Sequence, residues 1–140
     1  MRQALGFAAA LTAVFLVIEL VVGFRAAAWV GFAAMLTIAA FNSATFLWLW
    51  YVRATPLALG MALSWAGQAA ITGWWLLGGM PMRPDWVAVP EVIFAFLALY
   101  IVGGGLHVSV IQRSSQSRAT RLVWPAIALV SVAAGVYAVG

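Results

Sequence analysis

The chain has 140 residues, 66% of them hydrophobic and only 7% charged, with a mean hydropathy of +1.09. A soluble domain carries about 25% charged residues, so a water-exposed globule is excluded and the chain reads as an integral membrane protein. The formal charge of +4 comes from seven arginines against three acids, scattered too thinly for a nucleic-acid surface, and zero cysteines exclude disulfides, thiolate metal sites and thiol redox chemistry.

A membrane-crossing helix needs roughly 20 apolar residues at 1.5 Å rise each. Five stretches answer to that description in chain order: about Ala4 to Phe24, Ala27 to Val52, Leu57 to Gly79, Trp86 to Ile111 and Leu122 to Val139. The expected fold is therefore all-α. It is a polytopic membrane helical bundle of five transmembrane helices in a single domain, residues 1–140.

The first stretch follows Arg2 and is longer than the 7–15-residue apolar core of a secretory signal, with Glu19 inside it. It is read as a membrane helix. The second carries Asn42, Ser43 and Thr45 mid-span and stops at Ala54-Thr55-Pro56. The third carries Ser64, Gln68 and Thr72 and stops at Gly78-Gly79-Met80-Pro81, with Pro84 beyond. Proline removes a backbone donor and disfavours helix before it. The fourth contains Pro90 and Glu91 near its start and Gly103-Gly104-Gly105-Leu106-His107 near its end. Ser114-Ser115-Gln116-Ser117 is a polar turn into the fifth stretch, which Ser131, Gly135 and Tyr137 dilute. A four-span arrangement, with that last segment lying on the surface, is the competing topology.

Charge is sorted along the chain. Arg2, Arg53, Arg113, Arg118 and Arg121 fall at alternate joints, while Glu19, Arg25, Arg83, Asp85 and Glu91 fall at the joints between. Arginine concentrates on the cytoplasmic side of short loops, where anionic headgroups attract it. The bias predicts a cytoplasmic N-terminus and a C-terminus outside. Arginine without lysine fits a GC-rich bacterial genome, so the expected location is a bacterial inner membrane.

Among the eight tryptophans, Trp29, Trp74, Trp75 and Trp86 fall at outer span ends and Trp48, Trp50 and Trp124 at inner ends. Indole prefers the headgroup level, so these seven are expected to be interfacial anchors. Trp65 is the exception, about 12 Å into its span by helical rise. Its neighbours Ser64, Gln68 and Thr72 recur every four residues, a stripe that faces other helices because lipid offers no hydrogen bonds. Asn42 at similar depth is expected to pair with Gln68. Asn42, Trp65 and Gln68 are thus candidates for a ligand-binding interior.

Glu19 and Glu91 are candidates because ionisable groups inside spans are functional by default. Converging, they would form an acidic outer mouth; the plainer expectation is that Glu19 pairs with Arg25 or Arg83 while Glu91 reaches the interface. His107 is the lone histidine. Gly103 and Gly104 lie at i−4 and i−3, on the same helix side. This spacing resembles the small-x-x-x-His pattern of bacteriochlorophyll-binding light-harvesting helices, which implies a tetrapyrrole at His107; a close helix crossing at the glycines is the alternative. No cofactor, no metal site and no catalytic set is otherwise expected. The chain lacks a phosphate-binding Gly-Lys-Ser/Thr loop, a His-Glu-x-x-His and a zinc spacing.

Two family likenesses are local. A Trp-rich five-span chain with Ala40-Phe41-Asn42, Arg53, Ala58-Leu59 and Val89-Pro90 resembles the tryptophan-rich sensory (translocator) proteins. That resemblance implies porphyrin or sterol-like ligands. Val89-Pro90-Glu91-Val92-Ile93-Phe94 resembles the Pro-x-Glu-Glu-x-x-Phe-Phe segment of membrane lycopene cyclases, which implies an acid role for Glu91. The Trp-x-Pro-Pro loop of the first family and the second acid of the other are absent, so membership of neither is assigned.

The expected function is that of a non-enzymatic membrane module, an accessory or assembly subunit or a binding protein for an apolar ligand held within the bundle. Alternatives are a small transporter or channel with an acidic outer mouth, and a membrane enzyme acting on an isoprenoid or lipid. Expected partners are the lipid bilayer, further copies or members of a membrane complex, and an apolar small molecule, with no nucleic acid.

Overall fold

The computed structural model describes residues 2–115 and 123–139. These residues form five α-helices: α1 (Arg2–Val22), α2 (Phe24–Arg53), α3 (Pro56–Gly78), α4 (Val92–Ser115) and α5 (Val123–Val139), with a 3₁₀ turn at Asp85–Ala88. Arg118 and Arg121, part of the expected inner arginine cluster, lie outside the described residues.

Three stretches are long and apolar enough to cross a membrane: Gln3–Val22, Phe24–Arg53 and Val92–Ile111. The remaining two helices fall short for different reasons. α5 counts 17 among the described residues. α3 is long enough at 23 residues, but it carries Ser64, Gln68, Thr72 and several glycines. That composition suits its place, because α3 packs between α2 and α4 and supplies much of the buried surface: Ala58, Gly60, Ala62, Gly67 and Thr72. α1 packs on α2 more lightly. The first four helices therefore stand in chain order, each chiefly against its neighbour. The described side chains of α5, Ile127, Leu129, Val130, Val132 and Val136 among them, are exposed.

Local chemistry sets the joints. Gly23, at φ 89°, is the single residue between α1 and α2, a conformation that glycine adopts without penalty. α2 ends at Ala54 in the left-handed region (φ 49°), whose N–H donates to the Trp50 carbonyl at 2.6 Å. Pro56 then opens α3, where its missing N–H costs nothing.

Two boundaries differ from the sequence reading: α2 starts at Phe24 and not at Ala27, so Arg25 lies inside it, and α4 starts later than expected. Pro90 and Glu91 were expected inside the fourth helix, but they form a turn and α4 starts at Val92. Val89 is extended before the proline (φ −87°, ψ 105°), as the steric rule for residues preceding proline requires. The carbonyls of Val89, Pro90 and Glu91 then accept from the N–H groups of Val92, Ile93 and Phe94 at 3.3, 3.2 and 3.0 Å. Pro90 thus starts the helix and does not kink it.

The α3–α4 crossing is the closest approach in the fold. Gly60, Ser64 and Gly67 meet His107, Gly103 and Tyr100 in antiparallel order. A Cβ on Gly67 would sit 2.5–2.7 Å from Tyr100, and one on Gly103 would fall on the backbone of Leu63 and Ser64. Small residues at helical spacing let the two backbones touch, the usual basis of helix association in lipid. The α2–α3 contact adds one interhelical hydrogen bond, from Ser43 Oγ to the Ala62 carbonyl at 3.0 Å. Other hydroxyls return to their own helix: Thr12 to Ala8, Thr37 to Ala33 and Thr45 to Phe41, each at 2.8–2.9 Å. This is the local solution open to Ser and Thr.

Candidate functional site

The register of the three packed helices opens a cavity of about 420 Å³ lined by Met35 and Ile38 of α2, Ser64, Trp65 and Gln68 of α3, and Tyr100 of α4. All six positions are near the middle of their helices. No charged side chain lines it. Its wall is apolar and aromatic, with the Gln68 amide, the Ser64 hydroxyl and the Tyr100 phenol as the polar groups. A site of this kind holds an apolar body and orients it by one or two hydrogen bonds.

Gln68 is tied within its own helix. Its Nε2 donates to Thr72 Oγ1 at 3.2 Å, and Thr72 Oγ1 donates to the Gln68 carbonyl at 2.8 Å. Thr72 is buried. This corrects the expected Asn42–Gln68 pair. The Ser43–Ala62 bond sets Asn42 opposite the level of residue 63 in antiparallel α3, five residues from Gln68. At 1.5 Å rise, that separates the two side chains by about 7.5 Å along the axis. Asn42 is half-buried and does not line the cavity.

The two glutamates are not brought together. Glu19 lines an open groove of about 400 Å³ between α1 and α2, with Thr12, Phe15, Phe24, Phe32 and Met35 among its walls and no second carboxylate. Glu91 is exposed in the turn before α4. No ion pair forms among the described residues, so the expected pairing of Glu19 with Arg25 or Arg83 is also absent.

His107 lines a different cavity, of about 320 Å³, at the α2–α3 turn. The glycine at its i−4 position, Gly103, is covered by the α3 backbone, while Gly104 at i−3 has open space beside it. The crossing therefore occupies the Gly103 side on which a flat macrocycle was expected to lie.

The tryptophans divide. Trp48, Trp50, Trp75 and Trp86 are exposed, and the Trp124 side chain lies outside the described residues. Trp29 packs its ring on Gly79. Trp74 stands edge-on to Trp75, with ring centroids 5.7 Å apart. Its Nε1 is enclosed with no partner, which corrects its assignment as an anchor with a wet N–H. Trp65 was legible as the interior tryptophan; the His107 cavity was not, because its walls come from three helices and only the fold assembles them.

No family model, curated protein or solved structure matches this chain.

Proposed function

We propose that the chain is a five-span, multi-pass protein of a bacterial inner membrane, N-terminus cytoplasmic and C-terminus outside, that binds an apolar small molecule without transforming it. The observation carrying the binding reading is the neutral mid-bundle cavity lined by Trp65, Gln68 and Tyr100. Its volume of about 420 Å³ falls within the roughly 300–1,000 Å³ of small-molecule sites. Trp65 offers a flat apolar face and Gln68 an amide held in place by Thr72, so the favoured ligand is a ring system with one polar substituent. The arginine bias across the joints supports the orientation. In this reading the protein serves as a binding or assembly subunit, alone as a homo-oligomer or within a membrane complex.

Mass spectrometry of solvent extracts from the purified protein tests the reading. An apolar molecule at stoichiometric level is expected with the natural sequence and lost from both Trp65→Ala and Gln68→Leu. Extracts that are the same for all three proteins would sink it.

A further inference from the structure

We propose that the cavity beside His107 is a second, separate binding site, which takes the carbonyl-bearing head of an apolar membrane molecule. The cavity is lined by Phe46 and Leu49 of α2, Thr55 of the turn, Met61 of α3, and His107 and Ile111 of α4. None of these residues lines the Trp65 cavity.

Position comes first. Arg53 closes α2 two residues before Thr55, and Arg113 follows Ile111 by two. Arginines at helix ends reach for headgroups, so this cavity lies at the border between headgroups and hydrocarbon. A ligand seated there keeps its head in the cavity and its chain in the bilayer.

Chemistry follows from the imidazole. His107 Nδ1 is enclosed without a hydrogen-bond partner, and the His107 side chain makes no hydrogen bond among the described residues. In a neutral imidazole one nitrogen donates and the other accepts. An enclosed N–H with no acceptor is the rarer and costlier arrangement, which assigns the hydrogen to Nε2. With Nδ1 enclosed, Nε2 is the nitrogen left for the cavity. The root of the ring is fixed as well: a Cβ on Gly60 would lie 2.7 Å from His107 N and 3.0 Å from its Cβ. The cavity thus presents the imidazole N–H as a positioned donor, together with the Thr55 hydroxyl, among otherwise apolar walls and no charged side chain.

The complement of that arrangement is an uncharged acceptor on an apolar body. A carbonyl meets it, either on a quinone ring or in the ester of a glycerolipid. A charged headgroup does not, because nothing in the lining neutralises it. A tetrapyrrole fits less well: about 320 Å³ is near the lower end of ligand cavities, and α3 covers Gly103.

The test uses the full chain in nanodiscs of ether-linked lipid, which lack ester carbonyls. Decylubiquinone is one probe, read by saturable quenching of tryptophan emission and by the infrared carbonyl stretch. Ester-linked phosphatidylglycerol is the other, read by its retention in native mass spectra. Expected is saturable binding of at least one probe, weakened about fivefold by His107→Ala, as loss of one neutral hydrogen bond implies. His107→Gln restores part of it. Quinone binding with a lowered carbonyl stretch identifies the ring as the source; phosphatidylglycerol retention alone identifies the ester. Leu49→Trp, which fills the cavity from another helix, is expected to abolish binding without touching His107. Binding of both probes unaffected by His107→Ala or Leu49→Trp would overturn the proposal. So would a His107-dependent Soret shift with haem, which would make the ring a metal ligand.

Discussion

Gly103 and Gly104 are neighbours in sequence and opposites in environment. A methyl on Gly103 would overlap the α3 backbone, whereas one on Gly104 meets nothing within 4 Å. Gly103→Ala is therefore expected to destabilise the fold by about 1–3 kcal/mol, the range for overpacking. Gly104→Ala should be neutral to stabilising, by up to about 1 kcal/mol, since alanine loses less chain entropy in a helix. Unfolding in mixed micelles, followed by circular dichroism, separates the two, and equal losses would refute the crossing. At this scale the sequence was readable in part. The glycines before His107 marked a close approach, and the Ser64–Gln68–Thr72 stripe marked the inward side of α3. Asn42 and Gln68 were misread because depth along two helices does not fix their mutual register. Ser43, one residue away, makes the bond to α3 instead.

Helix ends obey backbone chemistry more than hydropathy. Pro90 lies within an apolar stretch, yet α4 begins two residues later because a proline supplies carbonyls to a new helix but no N–H to an old one. At the other end of the turn series, Ala54 holds a left-handed conformation (φ 49°) that costs an L-residue about 1–2 kcal/mol. Ala54→Gly is expected to raise stability by about 1 kcal/mol, since glycine's extra chain entropy takes back part of the gain. Thermal unfolding in detergent measures it; a lowered midpoint would mean that the alanine methyl has a packing role. The Ala54-Thr55-Pro56 break was placed correctly from sequence, whereas the start of α4 was not. What composition hid was the role of α3: its polar stripe lowers its hydropathy because it is shared with α2 and α4. An interior helix is less apolar than the helices it packs against.

At the scale of the molecule, α2, α3 and α4 pack together and α1 rests on α2 through a lighter contact. Hydropathy alone located all five helical segments, but the cavities depend on how α2, α3 and α4 lie side by side, which no periodicity records. The proposed topology makes a direct prediction, helped by the absence of native cysteine. Single cysteines at Arg53 and Arg113 should react with an impermeant maleimide only after the membrane is opened from the cytoplasmic side. Cysteines at Arg25 and Arg83 should react from outside. Labelling of Arg53→Cys and Arg83→Cys from the same side would contradict a membrane crossing by α3.

Gly23 has a wider bearing than its role as a joint. Residues with few buried neighbours open at low free energy, and α1 joins the remainder through this one permissive residue and a light interface with α2. The width of the Glu19 groove therefore follows the tilt of a single helix. The Trp65 cavity lies one helix further in, where the backbone seam of α3 and α4 leaves no such play. Met35 lines both, so the groove and the cavity share one wall although only the groove widens with α1.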